Sequence, residues 1–482
     1  MWSSTSAGRK RPPWLLRFRS STAFIIATVW ISSFAEYFLY AMIVPVMPTA
    51  LVDRANIPYE DREYWVSVLL VCEAAMAFVC CPIFGYIIDA APTRQLPYLL
   101  GLILLGASMG ILAAAHTVKL FLIARILQGG ATAMVAVAGL ALLADSVAFN
   151  NLGQAIGYLG SAVALGFLLG PLLGGLVYDV AGYHAVFAMA FVIVGVDLVM
   201  RLSVIEKKVA ERYSIIEDGE TPASPSHQDQ ASYQTFAEPA PASPHNGNRR
   251  RPALWLIMQQ PRVLISCWAL LVQGLFYSAF DSVIPIFVET RFGWGPFGAG
   301  MAFLPSAITA LFEPYFGSLS DRHGTRLITT TSFMLLTPPL IALRLVSSNT
   351  TAHKTLLLSL LTAAGLCMNA SLPALYVETQ QVLDEMEAAR PGIFGAKGAV
   401  AQAFGLQTMA QFMGLFLGPM WGGFVDHRFG WPVMSLTLGV LAAATAVPMF
   451  WLSGAPGGDG GEDSGEDGNR EGEGEREGLL RG

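Results

Sequence analysis

Acidic side chains inside otherwise apolar runs are the residues of this chain most able to do chemistry. Glu36 opens the stretch "EYFLYAMIVPVMP", nine residues before Pro45. Asp281 stands four residues before Pro285, and Glu73 nine before Pro82. A carboxyl held away from water can take up and release protons near neutral pH, and when ionised it attracts a cation. Proton and substrate then compete for one negative charge, which is the chemistry of exchange. Tyr37, Tyr40, Phe276 and Tyr277 neighbour these acids in sequence and are candidates to line a cavity, with Asn369 adding polarity. Arg125, three residues before Gln128, also sits in an apolar run. An arginine there is costly and needs a partner. Glu313, Asp197 and Glu378 read as acids at span ends, with Glu313 expected to bond to the adjoining loop.

The elements that must position these groups are membrane spans. Hydrophobic residues make up 54% of the 482 residues and charged residues only 13%, about half the charged share of a soluble domain. So large an apolar excess cannot all enter a soluble core. About twelve segments are long and apolar enough for a helix to cross ~30 Å of hydrocarbon: 22–48, 64–88, 96–115, 118–143, 152–178, 183–204, 262–288, 297–319, 326–346, 354–377, 398–425 and 430–452. The fold class expected is therefore an all-α membrane protein.

Charge is segregated although the net charge is only −6. Arg9, Lys10, Arg11, Arg17 and Arg19 precede the first span, Lys207, Lys208 and Arg249–Arg251 lie between the sixth and seventh, and "DRANIPYEDREY" after the first span is net acidic. The positive-inside rule places both termini and the long middle loop in the cytoplasm. The basic runs flank spans, so no nucleic-acid partner is expected. The first apolar stretch is too long for a cleaved signal peptide and reads as a retained span. Cys72, Cys80, Cys81, Cys267 and Cys367 all fall within spans, so no disulfide framework is expected.

Domain organisation follows: a tail at 1–21, a six-helix bundle at 22–205, a Pro/Ser/Gln-rich disordered linker at 206–260, a second bundle at 261–453 and an acidic, Gly-rich disordered tail at 454–482. Within the linker, "PALWLIMQQP" reads as a short segment lying along the inner membrane face. The halves repeat: "PIFGYIID" with "PYFGSLSD", "LGPLLGG" with "LGPMWGG" and "MIVPV" with "SVIPI", at offsets of about 230 to 250 residues. Parallel six-span repeats mark alternating-access transporters with a site near the midplane.

Three motifs resemble the major facilitator superfamily, and within it the twelve-span drug:proton antiporters, most closely the vesicular amine transporter branch. The loop motif is fullest in "GSLSDRHGTR", with Gly317, Asp321, Arg322, Gly324 and Arg326; its other copy keeps Gly85, Asp89 and Arg94. An Asp at such a span end can accept from arginines and helix N-termini, in contacts that form in one access state and break in the other. "RILQGGATA" resembles the family's fourth-span motif, which implies a part in proton coupling for Arg125 and Gln128. "GFLLGPLLGG" resembles the antiporter motif, with Gly166, Gly170, Pro171, Gly174 and Gly175; Gly418, Pro419, Gly422 and Gly423 repeat it. Small residues at this spacing let helices approach closely.

The resemblance implies two pseudo-symmetric six-helix bundles, and a first-span and a seventh-span acid matching Glu36 and Asp281 with Asp and Glu exchanged. Glu73 stands where that branch tends to carry a base. The branch's tenth- and eleventh-span acids are replaced by Asn369, Gln407 and Gln411, which favours a larger, more neutral substrate. The function expected is export of a small organic compound by proton antiport, with the proton as coupling ion and no other cofactor or metal. The protein is expected to work as a monomer in the lipid bilayer. The plasma membrane is the expected location, with a vacuolar or vesicular membrane the alternative. Amine-type sequestration, proton-coupled uptake and a transport-dead sensor remain open readings. No metal-spaced cluster or nucleophile motif supports an enzyme. Asn349-Thr350-Thr351 is a candidate glycosylation triplet outside the cytoplasm, whereas Asn369-Ala370-Ser371 lies within a span and is expected to be inaccessible.

Overall fold

The computed structural model describes residues 14–206, 210, 252–294, 296–395 and 398–454. The N-terminal residues up to Pro13, most of the expected linker and the acidic tail lie outside the described residues. Within them the chain is helical with no strand.

The first bundle opens with a short helix α1 (Leu16–Arg19) and contains α2 (Thr22–Ile43), α3 (Met47–Ala55), α4 (Arg62–Ala90), α5 (Gln95–Ala113), α6 (Val118–Ser146), α7 (Leu152–Ala181) and α8 (Tyr183–Ser203). A short α9 (Ala253–Met258) precedes the second bundle of α10 (Pro261–Phe292), α11 (Pro296–Ala310), α12 (Glu313–His323), α13 (Thr325–Ala342), α14 (Thr351–Ala389), α15 (Val400–Phe429) and α16 (Trp431–Ala446). Ser21 caps α2 by accepting from the Phe24 N–H, so the first span starts where its apolar run does. Ten helical stretches are long and apolar enough to cross a membrane. The other two expected spans are α15, which carries Gln402, Gln407 and Gln411, and the eighth.

The eighth span is not one helix. Pro314 has no N–H to give and disfavours helical backbone before it. The chain makes two tight turns at Leu311 and Phe312 and restarts at Glu313. The linker boundary also differs from expectation: α9 seats Ile257, fully buried, against Val263, Leu383 and Ala403 of the second bundle. Ordered structure therefore begins before residue 261.

The repeat is geometric as well as sequential. Gly182 and Gly430, both at φ near +80°, join α7 to α8 and α15 to α16 in a conformation L side chains rarely adopt. The aromatic after each then closes a helix end: Tyr183 Oη donates to Leu112 O (2.6 Å) and Trp431 Nε1 to Leu343 O (2.8 Å). In the first bundle α7 packs on α2; in the second α15 packs on α10. The Gly ladder explains both. A Cβ at Gly166, Gly170 or Gly174 would run into the α2 backbone at Phe38 and Met42 and the Ala41 methyl, and one at Gly418 or Gly422 into α10 at Leu275 and Ala279. Gly175 and Gly423 face open space. Between the bundles, α4 packs on α15, α7 on α12 and α14, and α6 on α15.

Candidate functional site

At one end of the molecule two aspartates lock the bundles together. Asp89, at the end of α4, accepts the N–H groups of Ala401 and Gln402 at the start of α15 (3.0 and 2.9 Å). Asp321, near the end of α12, accepts those of Gly153 and Gln154 at the start of α7 (2.9 and 3.0 Å). Each carboxylate thus meets the positive end of a helix from the opposite bundle. Arg94 holds Asp89 in place (2.9 Å) and also reaches Asp145 (3.0 Å). Gly85 and Gly317 permit this proximity, because a Cβ on either would strike the main chain of Ala401 or Gly153. Gly324, at φ +85°, turns the chain into α13. The side chains of Arg322 and Arg326 are exposed; Arg326 contributes its main-chain N–H, donated to Ser453 O.

Deeper in the first bundle, Arg125 is fully buried and pairs with Glu73 at 2.7 Å. Gln128 accepts from the same guanidinium nitrogen (3.0 Å). Gly129 makes the pairing possible: a Cβ there would overlap Glu73 O, so α4 and α6 touch through it. Arg125 is therefore not at an interface, and Glu73 is not an uncompensated acid. Tyr40 lies near this pair, its ring 5.8 Å from the Arg125 guanidinium, and within electrostatic reach of Asp281 in the other bundle.

Asp281 is accessible to solvent yet enclosed by protein, as a residue lining a hollow is. Tyr277, Phe280, Ser306, Gly365 and Met368 line that hollow with it. None of the described basic residues pairs with Asp281. Asn369, by contrast, is closed off: it accepts from Tyr277 Oη and donates to Thr309 Oγ1 (3.0 Å) and Ser306 O (3.4 Å). It positions Tyr277 and ties α10, α11 and α14 together. Phe276 is fully buried in the second bundle's core and lines nothing.

Glu36 is buried, with Oε1 lacking any hydrogen-bond partner. The polar and charged groups around it, Thr132, Tyr37, Glu73, Asp197 and Arg201, all belong to the first bundle. The structure therefore keeps Glu36 and Asp281 in separate bundles without a contact between the two carboxyls, with Tyr37 near Glu36 and Tyr40 within electrostatic reach of Glu73 and Asp281. The acids expected at span ends are all sequestered. Asp197 accepts from Ser32 (2.5 Å) and pairs with Arg201 (2.8 Å); Glu378 pairs with Arg262 (2.6 Å) and accepts from Thr325. Glu313 is buried and makes no bond to the loop motif. Helical spacing reveals the Asp197–Arg201 pair, four residues apart, but not the pairing of Glu378 with Arg262. Asn349 is exposed in its loop, its amide donating to Phe292 O (3.3 Å).

Comparison with known proteins agrees with this architecture. The Major Facilitator Superfamily model matches residues 29–394. An MFS-type transporter, ppzB, of Metarhizium rileyi is 31% identical over 472 residues, covering 91% of this chain and 96% of its own. The human chromaffin granule amine transporter is 21% identical over 404 residues, covering 82% of this chain and 67% of its own. The crystal structure of the human organic anion transporter MFSD10 (TETRAN) superposes with a TM-score of 0.63 at 15% identity, covering 89% of this chain and 99% of that one. With a family match across most of its length and two six-span bundles related by repeat, the chain belongs to the major facilitator superfamily and is an integral, multi-pass membrane transporter.

Proposed function

We propose that this transporter exports a small organic compound by proton antiport with alternating access. The observation that carries the reading is Asp281: an acid with no ion-pair partner among the described residues, accessible from a hollow lined mostly by aromatic and apolar side chains. A charge in that setting is poorly compensated, so occupancy by a proton or by a polar substrate is favoured over an empty carboxylate. Both termini lie in the cytoplasm, so the Asp89 and Asp321 locks close the cytoplasmic end in the conformation described. Opening that end requires all four locking hydrogen bonds to break.

The hollow beside Asp281 is lined by Tyr277, Phe280, Phe303, Ser306 and Met368 with no second charge among the described residues, which supports a substrate held by aromatic and hydrogen-bond contact as well as by one acid. Sensitivity of cells lacking or overproducing the protein to a panel of toxic compounds names a working substrate. In proteoliposomes an imposed pH gradient then drives uphill movement of that compound by the full chain. Asp281→Asn abolishes the uphill movement with expression unchanged; full activity in the variant refutes the role of Asp281.

A further inference from the structure

Glu313 is an acid that the exchange scheme above does not use. It heads α12 directly after the break in the eighth span and faces α7 across the seam between the bundles. Gly157 and Gly160 of α7 form a notch for it: a methyl at Gly160 would overlap Glu313 Oε2, and one at Gly157 the Glu313 main chain. Oε2 is sealed from solvent and has no hydrogen-bond partner. No basic side chain among the described residues pairs with it. The titratable groups on the surrounding elements are also accounted for. On α10 Tyr277 is within electrostatic reach of Glu313 and its hydroxyl donates to Asn369, while Asp281, four residues on, lines the hollow instead. Asp321, eight residues along α12, is bound to the α7 N-terminus. On α14 Glu378 is paired with Arg262. Arg326 at the head of α13 is exposed, and so is Tyr158, the ionisable residue between Gly157 and Gly160 of α7.

A sealed, unbonded carboxylate is strongly disfavoured, whereas the neutral acid fits the notch. Separation of α7 from α12 removes the notch and admits water. We propose that Glu313 is a second proton site, distinct from Asp281, that keeps its proton while the seam is closed and passes it to water on the lock side when α7 and α12 part. The step breaks one carboxyl O–H bond, and a water molecule accepts the proton. This deepens the antiport reading and rests on it for its role in transport, but the seam behaviour itself does not depend on any substrate.

The test uses spin labels at Asn150→Cys and His323→Cys, exposed positions on opposite sides of the seam, in the full chain with its five native cysteines replaced by alanine and reconstituted in lipid nanodiscs. Distance distributions are recorded from about pH 5.5 to about pH 8.5, the range in which a displaced carboxyl titrates. The ratio of open to closed seam is expected to rise with pH, by at most about tenfold per unit for one proton. Glu313→Gln, a neutral isostere, removes that slope and keeps the seam closed; Glu313→Asp restores a slope. The inference is overturned by a flat profile in the parent chain, by an unchanged slope in Glu313→Gln, or by a slope lost in Asp321→Asn and retained in Glu313→Gln. If Glu313→Gln flattens the profile while liposomes of the parent chain show no gradient-driven transport, antiport falls and the seam site stands.

Discussion

Replacing Glu73 by Gln tests whether the buried ion pair organises the first bundle. The perturbation leaves Arg125, fully buried, without its anion at 2.7 Å. What remains is a neutral amide oxygen in place of the carboxylate, one hydrogen bond to Gln128 at 3.0 Å and the Tyr40 ring at 5.8 Å, while Nε of Arg125 is already without a partner. Removing one member of a buried pair typically destabilises by about 3–5 kcal/mol, because the other charge is left uncompensated. The remaining contacts place Glu73→Gln near the lower end, about 3 kcal/mol, a large share of the ~5–15 kcal/mol that usually holds a domain together. At about 2–4 °C per kcal/mol for a unit of bundle size, the melting temperature falls by roughly 6–12 °C. Thermal denaturation in detergent, followed by monodispersity, measures this. Glu73→Gln/Arg125→Gln, which removes both charges, is expected to be more stable than Glu73→Gln alone by about 1 kcal/mol or more. A Glu73→Gln variant melting within about 1 °C of the parent, with the double variant no better than the two singles summed, would refute an interior pair and leave Arg125 solvated.

Two further predictions concern the contacts between helices. Asp89→Asn and Asp321→Asn each weaken two charge-assisted bonds to backbone N–H groups, worth about 1.5–3 kcal/mol apiece when intact. Either change should increase labelling at the seam by an impermeant thiol reagent, and the double change should do so most; equal labelling in all four proteins would dismiss the locks. On the Gly ladder, Gly170→Leu and Gly418→Leu should abolish folded protein, because the added side chain meets the α2 or α10 backbone. Gly175→Ala and Gly423→Ala face open space and should stay within about 0.5 kcal/mol of the parent by melting temperature.

The sequence by itself determined the class and plan of this protein. Apolar runs of spanning length force helices, since every backbone N–H and C=O in hydrocarbon must find its partner within the segment. The matched "PIFGYIID" and "PYFGSLSD" runs revealed two copies of one bundle, and the Gly spacing at 166, 170 and 174 announced a close helix pair. The tertiary structure alone decided which acids are compensated. Glu73 looks no different from Glu313 in a linear reading, yet it meets Arg125 of another helix while Glu313 meets only a glycine notch. It also decided that Asn369 is occupied by Tyr277 and Thr309, and that Asp281 lines a hollow while Glu36 is buried. The physical reason is that charge compensation acts over a few ångströms between helices distant in sequence, whereas apolar periodicity is a property of each helix on its own.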